Sequence, residues 1–208
     1  VARAFLSEGL TQNLPIKFFY SGAMFRYERP QKGRQRQFHQ IGVELLGAAN
    51  SWADIECIAM ADAILKKLEV RSLSRLEINS IGDSETRVNY RTELVKYLST
   101  FETQLSADSQ KRLKINPLRI LDSKEERDQE ILKKAPSLSH FLNEDSKKRF
   151  EEVTSALKRL NIEYAINPLL VRGLDYYSHT VFEFRTDALG AQDAILSGGR
   201  YDTLIETM

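Results

Sequence analysis

The sequence predicts an α+β fold: a strand-rich frame interrupted by a block of charged helices. Three observations lead there. Side chains alternate in character with period two through residues 16–28 and 38–47, as expected of strands. From about 84 to 160 that alternation gives way to charged segments with helical periodicity. Strand-like runs then resume at 163–166, 180–185 and 194–197.

Each element has a local rationale. Residues 1–12 read as a helix closed by Asn13 and Pro15. Asn50-Ser51 can cap a helix over 52–68, with Asp54 in its first turn and Ile55, Ile58, Ala59, Leu65 and Leu68 as its apolar stripe. Residues 76–79 form a short strand. In the charged block, helices are predicted at 86–101, at 123–135 with Pro136 as the stop, and at 143–160. The last buries Phe150, Val153, Leu157 and Leu160. The expected division is a first core part (1–83), a helical insertion subdomain (84–160) and a second core part (161–208).

Composition narrows the function. A net charge of +1 excludes a global polycation, so nucleic-acid contact must come from a local patch such as 29–36. Cys57 is the only cysteine, which excludes a disulfide framework and a cysteine-based zinc site and fits a cytoplasmic protein. Its apolar helical setting predicts a buried, inert thiol. No apolar run reaches the ~20 residues of a membrane span. The chain starts inside a helical pattern and stops at the beginning of another, so it reads as an excerpt of a longer protein.

Three stretches carry the chemistry. In the first, Gly22, Met24, Arg26 and Glu28 share one strand face, and Phe38, Gln40, Gly42 and Glu44 share a face of the next strand. Ile41, Val43 and Leu45 point the other way. Between the strands, Arg29, Lys32, Arg34 and Arg36 suit phosphate oxygens. An ordinary polar hairpin with a solvated basic tip has the same pattern. In the second, Leu170-Val171-Arg172-Gly173-Leu174-Asp175-Tyr176-Tyr177 sets a cation beside a glycine, an acid and two tyrosines. It could bind a phosphate and a ring, or be a turn with an Arg172–Asp175 ion pair. In the third, Ser197-Gly198-Gly199-Arg200-Tyr201-Asp202 allows close backbone approach to a ligand but has neither Walker A nor dinucleotide-fingerprint spacing.

Taken together, the three stretches resemble the class II aminoacyl-tRNA synthetases, in the form of the histidyl-tRNA synthetases. Residues 25–44 resemble motif 2, and 170–177 and 197–202 resemble the two histidine-specific signatures. Asn79-Ser80-Ile81-Gly82 and residues 116–124 are similar to the bacterial form. The resemblance covers essentially all 208 residues. It implies an antiparallel sheet flanked by helices, and ATP-dependent activation of histidine followed by transfer to tRNA(His), with Mg2+ accompanying ATP and no protein metal site. It further implies that Arg26 and Arg172 serve catalysis at the α-phosphate and that Arg34 reaches the γ-phosphate. Glu28 and Phe38 would meet the adenine. Gln40, Glu44, Tyr176, Tyr177, Tyr201, Gly198 and Gly199 would surround histidine. Arg29, Lys32 and Arg36 would meet the tRNA acceptor end. His39, His140 and His179 need no catalytic role. The full-length family member would be a homodimer. Motif 1, motif 3, a Thr-Pro-Glu-Gly-Thr-like segment and an anticodon-binding domain find no match here, so the excerpt is expected to be inactive alone. The alternative is a non-catalytic paralogue, such as the regulatory subunit of ATP phosphoribosyltransferase or a tRNA-sensing domain.

Overall fold

A computed structural model of the chain describes residues 1–27, 29–174, 176–189 and 193–208. Helix α1 (Ala2–Ser7) and a 3-10 turn (Leu10–Gln12) stand where one helix was expected. Gly9 separates them at φ +64°, a left-handed conformation that ends a helix. β1 (Ile16–Phe25) and β2 (Gln37–Leu46) pair antiparallel, with Phe18 opposite Glu44, Gly22 opposite Gln40 and Met24 opposite Phe38. The strand stops at Phe25 rather than at residue 28. Beyond it, the Arg26 amide donates to the Arg36 carbonyl, and reciprocal bonds between Gln31 and Arg34 close the turn.

Helix α2 (Trp52–Lys67) leads to β3 (Arg75–Ser80). Helices α3 (Ser84–Ser99), α4 (Ala107–Ile115), α5 (Glu126–Leu132) and α6 (Glu144–Arg159) follow. The chain returns through β4 (Ala165–Ile166), β5 (Ser178–Arg185) and β6 (Ala194–Arg200). These last strands form a four-stranded sheet in the order β4-β3-β5-β6. Its β3–β4 pair is parallel, so the sheet is mixed and not purely antiparallel. Among the described residues, the β1–β2 hairpin shares no ladder with it.

The sheet separates two cores. Val181 of β5 faces a core built on Tyr90, Leu94 and Leu98 of α3, with Ile120, Leu132 and Leu138. The spacing of four puts those α3 residues on one stripe. Phe182 and Phe184 face the other core, where Ile55, Ile58 and Leu65 of α2 meet Val153, Ala156 and Leu157 of α6. Thus α6 packs beside α2, on the opposite side from α3. Leu68 and Leu160, expected in the stripes, are 60% and 50% exposed. Each is a C-cap, where the last turn has already left the core. Ser51 does not cap α2 with its side chain, because its hydroxyl donates to Glu152 of α6 at 2.6 Å. Cys57 is half-buried, and burial together with Asp54, Glu56 and Glu44 pushes its thiol pKa up to about 11.

Helix α4, absent from the sequence reading, is held by a buried carboxylate. Asp128 accepts from the hydroxyls of Ser106, Ser109 and Ser123 at 2.6–2.7 Å and from the Ser106 amide at 2.8 Å. Burial works to raise its pKa, but the serine hydrogen bonds outweigh it and the pKa is lowered. Its stabilising contribution is therefore complete above the unfolded-state carboxylate pKa and is lost as pH falls through the folded one. We expect Asp128→Ala to cost on the order of 3 kcal/mol in urea unfolding near pH 7, with the difference from wild type shrinking towards pH 3.

Candidate functional site

One half of the candidate site is the inner face of the hairpin. Phe18, Tyr20, Gly22, Met24 and Arg26 are its half-buried positions on β1 and just beyond, with Phe38, Gly42 and Glu44 on β2. The Arg26 guanidinium lies over the Phe38 ring, 3.8 Å from its centroid, a cation–π arrangement. Its Nε is buried without a hydrogen-bond partner. Gln40 donates from Nε2 to the Tyr20 hydroxyl at 2.8 Å. Gly42 is required there, since a Cβ would come within 2.2 Å of the Tyr20 ring. The polar face is thus the covered one. The apolar face is open: Phe19 is 84% exposed and Tyr27 is 100% exposed, and Phe25 and Ile41 are also exposed.

The loop beyond the hairpin carries the cations. Gly33, at φ +76°, sits against the Leu189 side chain. Arg29, Lys32 and Arg36 are exposed and Arg34 is half-buried. Glu28 and Asp175 lie outside the described residues.

The other half comes from the second and third stretches. Arg172 donates from Nη1 to Glu183 at 2.5 Å and from Nη2 to the Ser197 hydroxyl at 3.2 Å. It also lies 5.4 Å from the Tyr177 ring centroid, and its Nε is buried without a partner. Burial pushes Glu183 up in pKa, against the pull of Arg172 and Arg185. Gly199 lets Tyr177 lie on β6, where a Cβ would stand 2.8 Å from the ring. Gly198 does the same for Phe182, at 2.6 Å. Tyr176 stacks with Tyr177 at 4.6 Å and meets Tyr201 edge-on at 5.9 Å.

The halves join where the Tyr201 hydroxyl donates to the Glu44 carboxylate. Burial first, then the Glu44 hydrogen bond and charge, push the Tyr201 pKa far up, so this hydroxyl remains a donor. Burial also raises Tyr176, with Tyr177 adding to the shift. Glu44, Tyr176, Tyr177, Tyr201, Arg172, Gly198 and Gly199 therefore cluster, while Arg26 and Phe38 form a second contact on the hairpin. Sequence reasoning missed Glu183 and Ser197, which hold Arg172, and gave Arg200 no role. An acid in the middle of β5 was the available signal for Glu183. Among the described residues, no group of three or more His, Cys, Asp or Glu converges as a metal site would need. His39 and His140 are exposed. His179, at φ +47°, meets the Ser146 hydroxyl through Nδ1 at 3.4 Å.

A profile for the family described as "Histidyl-tRNA synthetase" matches residues 1–208. The chain belongs to the histidyl-tRNA synthetase family. A histidine–tRNA ligase of Rhodospirillum rubrum is 56% identical over the whole chain, which covers 50% of that protein. Apo histidyl-tRNA synthetase of S. aureus superposes with a TM-score of 0.75 at 38% identity, over 99% of this chain and 49% of that one. A Bacillus halodurans structure titled ATP phosphoribosyltransferase regulatory subunit/histidyl-tRNA synthetase gives 0.60 at 21% identity, over 99% of this chain and 56% of that one, and shows the fold alone. The chain spans about half the length of the curated relatives it matches.

Two glycines of the candidate site can be ranked by what a methyl group would meet. Gly198→Ala should lower stability in denaturant unfolding by about 1–3 kcal/mol, because Phe182 must move. Gly22→Ala, whose Cβ meets nothing within 4 Å, should stay within about 0.5 kcal/mol of wild type.

Proposed function

We propose that the chain is part of the catalytic domain of a histidine–tRNA ligase, and that the pocket between hairpin and four-stranded sheet makes histidyl-adenylate. The observation that carries this is the Tyr201–Glu44 hydrogen bond, which joins residues of two separate stretches. A histidine carboxylate oxygen attacks the α-phosphorus of ATP. The bond from that phosphorus to the bridging oxygen breaks, and pyrophosphate leaves. No protein nucleophile is needed, so positioning and charge stabilisation do the catalysis. Arg26 and Arg172 act on the α-phosphate, each with a buried Nε still able to donate. Arg34 reaches the γ-phosphate and Phe38 takes the adenine, with Arg26 on its ring exchanging for the base. Glu28 is assigned to the adenine from the sequence alone. Mg2+ travels with the nucleotide as its counter-ion.

The histidine pocket is formed by Gln40, Glu44, Tyr176, Tyr177 and Tyr201 over the Gly198-Gly199 backbone. Tyr201 orients Glu44 towards the imidazole. A pocket that hydrogen-bonds the ring rejects analogues lacking those groups. Arg29, Lys32 and Arg36, exposed on the loop, meet the acceptor end of tRNA(His) for the transfer step. The full-length protein works in the cytoplasm as a homodimer, with residues 84–160 inserted into the catalytic core. A regulatory paralogue is not favoured, since the relatives above 50% identity are named as ligases.

The test is histidine-dependent ATP–pyrophosphate exchange by the full-length protein. Arg172→Ala should lower kcat about 100-fold or more. Tyr201→Phe should raise KM for histidine about tenfold and leave KM for ATP within about twofold. The 208-residue chain by itself should give no measurable histidylation. Exchange driven by another amino acid, or by none, would remove the proposal.

A further inference from the structure

Arg200 is the last residue of β6, between the two glycines and Tyr201. Its side chain is 9% exposed and every nitrogen of its guanidinium is engaged. Nε donates to both oxygens of Asp202, at 2.8 and 2.9 Å. Nη1 donates to the Asn50 carbonyl at 3.2 Å and to Asp54 at 3.3 Å. Nη2 donates to the Ala48 carbonyl at 2.9 Å. The acids it holds are themselves tied to β5: Thr180 donates to Asp54 at 3.1 Å, and Ser178 donates to Asp202 at 2.7 Å.

These partners come from different parts of the fold. Ala48 and Asn50 lie in the turn that leaves β2, Asp54 lies in the first turn of α2, and Ser178 and Thr180 lie on β5. The hairpin has no backbone ladder to the sheet among the described residues, so side chains set its placement. Other ties are present among the described residues. Arg149 of α6 donates to the Ala49 carbonyl at 2.8 Å, Lys17 pairs with Glu56, and Tyr201 meets Glu44. The Lys17–Glu56 pair is solvent-exposed, a class worth little. Arg200 bridges the hairpin exit and β6 directly, next to Tyr201. A planar guanidinium with five fixed donors can reach four separate acceptor groups at once, whereas a lysine ammonium with three donors cannot hold that geometry.

We propose that Arg200 is a positioning residue that sets the alignment of the two half-sites, acting on substrate through Tyr201 and Glu44 and not by touching it. This rests on the pocket reading given under Proposed function. Histidine would feel the alignment most, because its pocket draws Gln40 and Glu44 from one half and three tyrosines from the other. Arg34 and Phe38 both sit in the hairpin and its loop, so the adenine and γ-phosphate contacts would move as one body.

The experiment compares wild type, Arg200→Lys and Arg200→Gln in the full-length protein, the lysine variant being the milder one should the glutamine variant fold poorly. In ATP–pyrophosphate exchange, Arg200→Lys should raise KM for histidine about tenfold or more and leave KM for ATP within about threefold. A lower kcat with both KM values unchanged would mean lost active protein only, and would overturn the proposal. Hydrogen exchange supplies a readout independent of catalysis. Amides of residues 44–50 and 201 should exchange about tenfold faster in Arg200→Lys, while those of β3 keep the wild-type rate. Unchanged exchange at 44–50 would overturn the clamp. Absent histidine-dependent activity in wild type would instead defeat the functional reading and leave the clamp to the exchange data.

Discussion

The structure depends on a seam made of side chains. Backbone ladders are cooperative and specify register over many residues, but the hairpin and the four-stranded sheet share none among the described residues. What joins them is Arg200 on the Ala48 and Asn50 carbonyls, Arg149 on Ala49, and Tyr201 on Glu44. Such bonds gain from partial exclusion of water and from charge on the donor. Arg200 alone makes bonds to two carbonyls of the hairpin exit, so a change at its guanidinium removes several of these contacts at once. The two halves can each be rigid while their mutual placement hangs on a few contacts.

Charge burial follows from this plan. Asp54 sits under the seam, where burial pushes its pKa up and Arg200, Thr180 and Arg149 oppose that push. Asp202 is lowered, because the Arg200 and Ser178 hydrogen bonds outweigh burial. Farther along the sheet, Arg185 is held between Asp193 and Glu77, and Arg172 between Glu183 and Ser197. Arg172, Arg185 and Arg200 are each matched to at least one acid, which is the condition for keeping charge in an interior. The Arg172 Nε and Arg26 Nε are exceptions on the pocket side, and they belong to the residues assigned to phosphate.

Local patterns made much of this legible. Alternation in residues 16–28 placed Gly22, Met24 and Arg26 on one face, and the observed register sets Gly22 against Gln40 and Met24 against Phe38. The three stretches brought together in sequence reasoning do converge around Tyr201 and Glu44. What stayed hidden was tertiary. Which face is open could not be read from polarity: Ile41 and Val43 lie on the open one, because the side with Phe38, Gly42 and Glu44 is the covered one. Helix α4 has the composition of a solvated loop and is held by Asp128, whose serine partners are spread along 106–123. Arg200 was read as part of a glycine turn, since nothing in its neighbours reveals acceptors near residues 48–54.

The proposed adenylate formation would make that hidden alignment consequential. The substrate supplies its own nucleophile, so the protein's contribution is to hold two reactants in line and to neutralise charge as it develops. Effective molarity falls steeply with misplacement, and a shift of about 1 Å can cost about 100-fold. In the proposed reaction, Arg172 at the phosphate and Arg200 at the seam would therefore act on the same barrier by different routes. Arg172, in the loop before β5, keeps its place through Glu183 and Ser197 of one sheet. Glu44 keeps its place relative to Tyr201 only through the seam. The proposed histidine pocket, assembled across that seam, is accordingly the part of the site where specificity and stability would be carried by the same few bonds.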